Sequence, residues 1–174
     1  MAHVFETAPT GRAKCRGCGQ LIGKGELRFG EHVPNPFGEG DATLWFHPPC
    51  AAYRRPESIL ESLASAPQQD RASLERVASA ISAQRRLARV AGAERSPSGK
   101  AACRHCRQPI EKGSWRIRLV IYEEGRFVPA GFLHLACRPE YFEGHDATEA
   151  VLHFSPELSA EERAELESAL RAMA

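Results

Sequence analysis

The sequence predicts an α+β protein made of two small modules of one kind, joined by a helical linker. Three observations carry that prediction. The segment GRAKCRGCGQLIGKGELR at residues 11–28 returns as GKAACRHCRQPIEKGSWR at residues 99–116, with ten identities in eighteen positions at an offset of 88. The six cysteines fall in two equal sets, 15, 18 and 50, then 103, 106 and 137. Short stretches rich in β-branched and aromatic residues follow each repeat, while Ala- and Leu-rich stretches lie between and after them. A duplicated unit within 174 residues leaves each copy too small to rest on a large apolar core, so each needs a staple.

Taken in order, ELRFGEHV and TLWF read as strands of the first module, and SWRIRLVIY and RFVPAGFLH as strands of the second. PESILESLASA and DRASLERVASAISAQRRLARVA are helical in composition, with Leu74, Val77 and Ile81 forming a stripe. GAERSPSGK at residues 92–100 breaks that pattern and marks a boundary. Near the end, Ser159 and Glu162 form a capping-box pattern ahead of Leu166, Leu170 and Met173, which predicts a short amphipathic helix from about Pro156. The expected division is a first module over residues 1–66, a helical linker over 67–98, a second module over 99–154 and an acidic C-terminal helix over 155–174.

The opening MAHVFETAPT lacks the basic start and apolar run of a secretory signal, so a reducing cytoplasmic setting is expected. There, paired cysteines read as metal ligands or redox groups before disulfides. No apolar stretch approaches a membrane span, and no membrane partner is expected. The net charge of +1 is a sum of unlike parts: +3 over residues 11–55, +4 over 99–140, and −6 from Tyr141 to the end. Basic modules beside an acidic tail point to an anionic partner.

The cysteines define the chemistry. In the first half Cys15, Cys18, His47 and Cys50 are spaced C-x2-C-x28-H-x2-C, and in the second Cys103, Cys106, His134 and Cys137 are spaced C-x2-C-x27-H-x2-C. Two close pairs brought together by a fold supply the four ligands that tetrahedral Zn²⁺ requires, so two zinc ions are predicted. A redox Cys-x-x-Cys accounts neither for the downstream His-x-x-Cys nor for the use of every cysteine. His105 is an alternative ligand to His134, but its counterpart in the first set is Gly17. Three thiolates and an imidazole close the shell, whereas a catalytic zinc keeps a position for water, so an enzyme is not expected.

With these motifs in hand, the chain resembles a tandem of poly(ADP-ribose) polymerase-type zinc fingers, a family also found at the front of a nick-sensing eukaryotic DNA ligase. The resemblance rests on the two repeated segments, followed by LWFHPPC and GFLHLAC, and covers about residues 11–50 and 99–137. It implies recognition of DNA strand breaks without sequence reading, as in a nick sensor in DNA damage and repair. A basic surface would grip phosphates, and apolar loop residues would stack on the base pair that a break exposes. Carried onto this chain, the phosphate grip falls to Arg12, Arg28, Lys100 and Arg116, with Arg16, Arg104 and Arg118 behind them. The stacking role falls to a loop from Pro36 through Phe37 to Ala42 in the first module, and to Phe127 and Val128 beside Arg126 in the second. Trp45 and Trp115 are assigned to the core.

No stretch is long enough for the polymerase's transferase domain or a ligase core. The expectation is a stand-alone, non-catalytic binder of DNA nicks, gaps or ends, bacterial by its compact size and composition. It would be monomeric or bridged by DNA, working beside repair enzymes on the nucleoid, or in the nucleus of a eukaryote. A zinc-stabilised protein-interaction module and an RNA-binding regulatory module are the alternatives.

Overall fold

A computed structural model describes residues 3–35, 38–84 and 86–173. The chain forms two compact units, Met1–Arg85 and Arg86–Ala174. Each is built around a three-stranded antiparallel sheet whose strands follow in chain order, and with the helices this makes the α+β architecture expected.

In the first unit, β1 (Val4–Thr7) pairs with β2 (Leu27–Pro34), which pairs with β3 (Asp41–Phe46). Phe29 and Phe46 face each other across β2 and β3 and are fully buried, so the sheet's inner face is aromatic. Among the described residues three α-helices follow, α1 (Pro48–Arg54), α2 (Pro56–Ser62) and α3 (Gln68–Ser82), with a helical turn at Leu63–Ser65 between the last two. Prolines open α1 and α2, where a missing N–H costs nothing. The expected stripe of α3 is real: Leu74, Ala78 and Ile81 are buried, with Val77 half-buried beside them. One buried charge ties sheet to helix. Glu31 of β2 is 1% exposed, and accepts hydrogen bonds from Arg55 Nε at 2.8 Å and from Ser58 Oγ.

In the second unit, β4 (Arg89–Arg95), β5 (Trp115–Glu123) and β6 (Arg126–His134) repeat the arrangement. Four short or medium segments complete it: a helical turn at Leu135–Cys137, then α4 (Arg138–Tyr141), α5 (Thr148–His153) and α6 (Ala160–Ala172). The Ser159–Glu162 capping box closes the start of α6 as its pattern predicts.

The helical linker expected over residues 67–98 is corrected by β4. The helix ends at Ser82, and Arg89–Arg95 pairs along β5 with Glu94 opposite Arg116. Cross-strand pairing overrides helical composition here, and the glycine that looked like a helix breaker is a strand residue. Gly92 has φ of +116°, at a register shift between Val90 and Gly92, and a Cβ there would lie 2.1 Å from the Phe154 carbonyl oxygen. Only glycine permits that conformation and approach together. Residues 155–172 are part of the second unit, with Leu166 and Leu170 fully buried. No helix among the described residues is long and apolar enough to cross a membrane.

Candidate metal centres and the arginines around them

Each repeated Cys-x-x-Cys forms a tight knuckle. Cys15 N–H donates to the Gln20 carbonyl at 2.8 Å and Gly19 N–H to the Cys15 carbonyl at 2.8 Å; in the second unit the same bonds run from Cys103 to Gln108 and from Arg107 to Cys103. The turn requires a left-handed residue, which is Gly19 at +77° in one unit and Arg107 at +65° in the other. Opposite each knuckle, the last strand of the sheet delivers the histidine, and the helical turn after it delivers the final cysteine.

The four donor atoms of each set, Cys15, Cys18, His47 and Cys50 and then Cys103, Cys106, His134 and Cys137, all lie within 4.8 Å of one another. Nδ1 is the imidazole atom turned inward. It lies 3.5 Å from Cys18 Sγ and 3.9 Å from Cys50 Sγ in the first set, and 3.4 Å from Cys106 Sγ and 3.8 Å from Cys137 Sγ in the second. A tetrahedron with Zn–S near 2.3 Å and Zn–N near 2.0 Å has N–S edges of about 3.6 Å. Both donor sets therefore fit zinc, and His105 stands outside the second set, its Nε2 2.9 Å from Glu140 Oε2.

Backbone donors prepare the sulfurs for negative charge. His47 N–H points at Cys15 Sγ at 3.3 Å and His134 N–H at Cys103 Sγ at 3.5 Å. Burial raises the Cys103 thiol, but N–H groups of His134, Cys106 and His105 outweigh it and hold the thiol at about 6. In the first set, hydrogen bonds from Cys15 and Cys50 hold Cys18 far below the ordinary thiol range, while the contact with Cys15 raises Cys50. Crowded sulfurs thus share protons that a bound zinc would displace.

The outer contacts are residues that spacing did not reveal. His134 Nε2 lies 3.1 Å from the Pro109 carbonyl oxygen, an acceptor that fixes Nε2 as the protonated nitrogen and Nδ1 as the ligand. In the first unit His47 Nε2 faces Glu26 Oε2 at 3.9 Å, and Glu26 is held by Gly23 N–H at 2.7 Å.

The arginines expected to grip phosphate separate into two groups. Arg12, Arg16, Lys100 and Arg104 are exposed, with Arg104 Nη1 donating to the Ala130 carbonyl at 2.6 Å. Arg28 and Arg116 are 8% and 6% exposed. Arg28 is paired to Glu6 through Nε at 3.0 Å and stacked with its Cζ 3.5 Å from the Trp45 ring centroid. Arg116 is paired to Glu94 through Nε at 2.9 Å and lies 3.6 Å over Phe132. Each is a sheet residue sandwiched between a neighbouring-strand carboxylate and an aromatic platform. Trp45, expected in the core, is the half-buried platform; Trp115 is buried as expected.

Glu6 and Glu94 escaped the sequence reading, although the repeat extends to them. At the same offset of 88, Glu6 matches Glu94, and Pro9 matches Pro97. Arg118 pairs with Glu157 at 2.9 Å.

Of the stacking candidates, Pro36 and Phe37 lie outside the described residues, and Ala42 is half-buried on β3. Phe127 and Val128 are corrected in place: they sit on β6, not in a loop. The β5–β6 connection is a two-residue turn with Glu124 and Gly125 at positive φ, and Phe127 packs on Tyr122 across it with ring centroids 5.1 Å apart.

Residues 6–79 match the family model described as the poly(ADP-ribose) polymerase and DNA-ligase Zn-finger region. Among similar proteins, the chain is 32% identical over 139 residues to a poly(ADP-ribose) polymerase of Drosophila melanogaster, covering 71% of this chain and 14% of that one. It is 26% identical over 166 residues to poly(ADP-ribose) polymerase 1 of Oryza sativa subsp. japonica, covering 87% and 17% respectively. With the polymerase 1 of Gallus gallus the identity is 30% over 129 residues, 64% of this chain and 13% of that one. The chain thus spans about a seventh of the length of these relatives. Within the first unit, residues 6–79 thus resemble a poly(ADP-ribose) polymerase-type zinc-finger region and carry a donor set that fits zinc.

Proposed function

We propose that the protein binds DNA at strand breaks, using its zinc-tied units to present basic groups to phosphates and an apolar loop to an exposed base pair. The observation that carries this reading is the match of residues 6–79 to a zinc-finger family of polymerases and DNA ligases, together with a closed Cys3His donor set. Zinc in such a set holds the fold and leaves no position for water, so the chemistry of the site is structural.

The exposed Arg12 and Arg16 beside the first knuckle, and Lys100 and Arg104 beside the second, are the groups placed to meet phosphate. Arg28 and Arg116 act one step back, by fixing the sheet on which the knuckles rest. Break selectivity is assigned to the first unit, whose sequence between β2 and β3 includes Phe37. Service to repair enzymes in the cell's DNA compartment follows from this reading.

Competitive binding of the zinc-loaded protein to otherwise identical intact, nicked, gapped and blunt-ended duplexes, at one stated salt concentration, tests the proposal. Tighter binding to broken forms, lost in Phe37→Ala, supports it. Equal affinity for all forms overturns it in favour of a purely electrostatic binder, and no binding to any form favours a protein-docking module.

A further inference from the structure

The C-terminal segment of the second unit runs beside β4 and places carboxylates on two arginines. Glu157 Oε1 accepts from Arg118 Nη2 at 2.9 Å, and Glu165 accepts from Arg95 Nη2. Both arginines are prepared for an anion. Arg95 has its Cζ 4.2 Å from the Trp115 ring centroid and gives Nη1 to the Gly113 carbonyl at 3.1 Å, so the stem is fixed and one edge of the fork is left to Glu165. Arg118 reaches past Gly92, where a Cβ would stand 2.7 Å from Nη2, and its buried Nε has no hydrogen-bond partner. Glu94 Oε2 lies 3.8 Å from that Nε, too far to satisfy it. The fork of Arg118 is therefore bonded on one side only.

The carboxylates are not built into the core. Glu157 and Glu165 are 52% and 51% exposed, and the arginines they cover are 35% and 45% exposed. Ion pairs this open are screened and contribute little to stability. The segment is anchored independently: Ser155 takes the Ala93 N–H at 2.8 Å and gives its hydroxyl to the Val151 carbonyl at 2.7 Å, while Leu166 and Leu170 are fully buried. The first unit has no equivalent, because the positions matching Arg95 and Arg118 are Thr7 and Gly30.

We propose that Arg95 and Arg118 form a phosphate-binding edge of the second unit for the DNA backbone, and that Glu157 and Glu165 cover it as built-in phosphate mimics. Arg forks take carboxylate and phosphate oxygens in the same bidentate geometry, so a chain's own carboxylates compete directly with DNA phosphates. An intact duplex, which offers phosphates alone, loses most from that competition. A break that also engages the first unit gains enough to displace the carboxylates. The covered edge thereby raises selectivity for broken DNA. This inference rests on the function proposed above.

The test compares the full-length zinc-loaded protein with Glu157→Gln/Glu165→Gln on a duplex closed by hairpins at both ends, intact or carrying one nick. The variant should bind the intact closed duplex about three- to tenfold more tightly at low salt, with the gain shrinking as salt rises. Its preference for the nick should fall by a similar factor. Adding Arg95→Ala/Arg118→Ala should abolish the gain. Retention of two zinc ions per chain and an unchanged circular dichroism spectrum establish that the variants are folded. Unchanged affinity of the Gln variant for the intact duplex, beside normal nick binding, overturns this inference alone. Failure of every form to bind either DNA overturns the function proposed above and this inference with it.

Discussion

The two units share a sheet, a knuckle and a donor set, yet the first covers its donors more fully than the second. Cys15 and Cys50 are buried in the first, whereas only Cys103 is buried in the second and Cys106 is exposed. The position between the paired cysteines explains the difference. Gly17 lies so close to α1 that a Cβ would meet Cys50 Cβ at 2.8 Å, and Arg54 Nη2 reaches its carbonyl at 3.4 Å. The matching His105 carries a side chain that meets α4 instead, through Glu140 Oε2 at 2.9 Å and the edge of the Tyr141 ring. A duplicated fold thus tolerates divergence in how a ligand set is covered, provided that the ligands themselves keep their places.

The largest effect expected is that of the metal. Structural zinc sites supply on the order of 10 kcal/mol of apparent folding free energy, so chelation should unfold both units. The exposed second site should lose its ion first. Zinc release followed with a metallochromic dye should show two phases of one ion each, with Cys106→Ser removing the faster one. A single phase would mean that the two sites hold their ions equally well.

A second contrast lies in the core. Glu31 and Leu119 occupy matching positions, 1% exposed in both units, but one is a charge held by Arg55 and Ser58 and the other is apolar. Glu31→Ala leaves Arg55 facing a vacated polar pocket and should cost about 3 kcal/mol, toward the lower end for a buried pair because Arg55 is partly exposed. The loss should appear in denaturant unfolding of the first unit while the second keeps its zinc.

The legible parts of the molecule were those that leave a local or repeated trace. Strands β2, β3, β5 and β6 follow alternating β-rich stretches, α6 follows its capping box, and the eight ligands follow from spacing. β1 and β4 left little trace, because Val4–Thr7 is four residues long and Arg89–Arg95 sits in an Arg- and Ala-rich run that reads as helix. Their repetition was present in Glu6 and Glu94, but it is visible only when the repeat is followed upstream. Arg28 and Arg116 recur as surface arginines would, and nothing local tells that β1 and β4 supply carboxylates to bury them. The acceptors behind the histidines, Glu26 and Pro109, are set by the fold of the knuckle and carry no spacing rule.

The edge strands give the next prediction. Val4 and Gly92 match at the offset of 88, but α5 ends against Gly92 and leaves no room for a side chain. Gly92→Ala combines a positive φ with a contact to the Phe154 backbone and should destabilise the second unit by about 2–3 kcal/mol. Val4→Ala, at a half-buried strand position, should cost about 1 kcal/mol or less. Thermal unfolding of the two variants separates them, and equal losses would mean that the two edges are packed alike.

The smallest effect is the sharpest test of the duplication, because it concerns one backbone angle. Both knuckles close through a left-handed residue, Gly19 in the first and Arg107 in the second, and each donates its N–H to the carbonyl of the cysteine four residues before. Glycine adopts that conformation without strain, whereas a residue with a Cβ pays roughly 1 kcal/mol. Arg107→Gly should therefore stabilise the second unit by about 0.5 kcal/mol after the added freedom of the unfolded chain is subtracted, and Gly19→Ala should destabilise the first by about 1 kcal/mol. Opposite signs for the two changes, read from the denaturant midpoint of each unit, follow only if both knuckles hold the same turn. Loss of stability in both would mean that Arg107 contributes a contact outweighing its strain, and the knuckles would then be alike in ligands but not in backbone energetics.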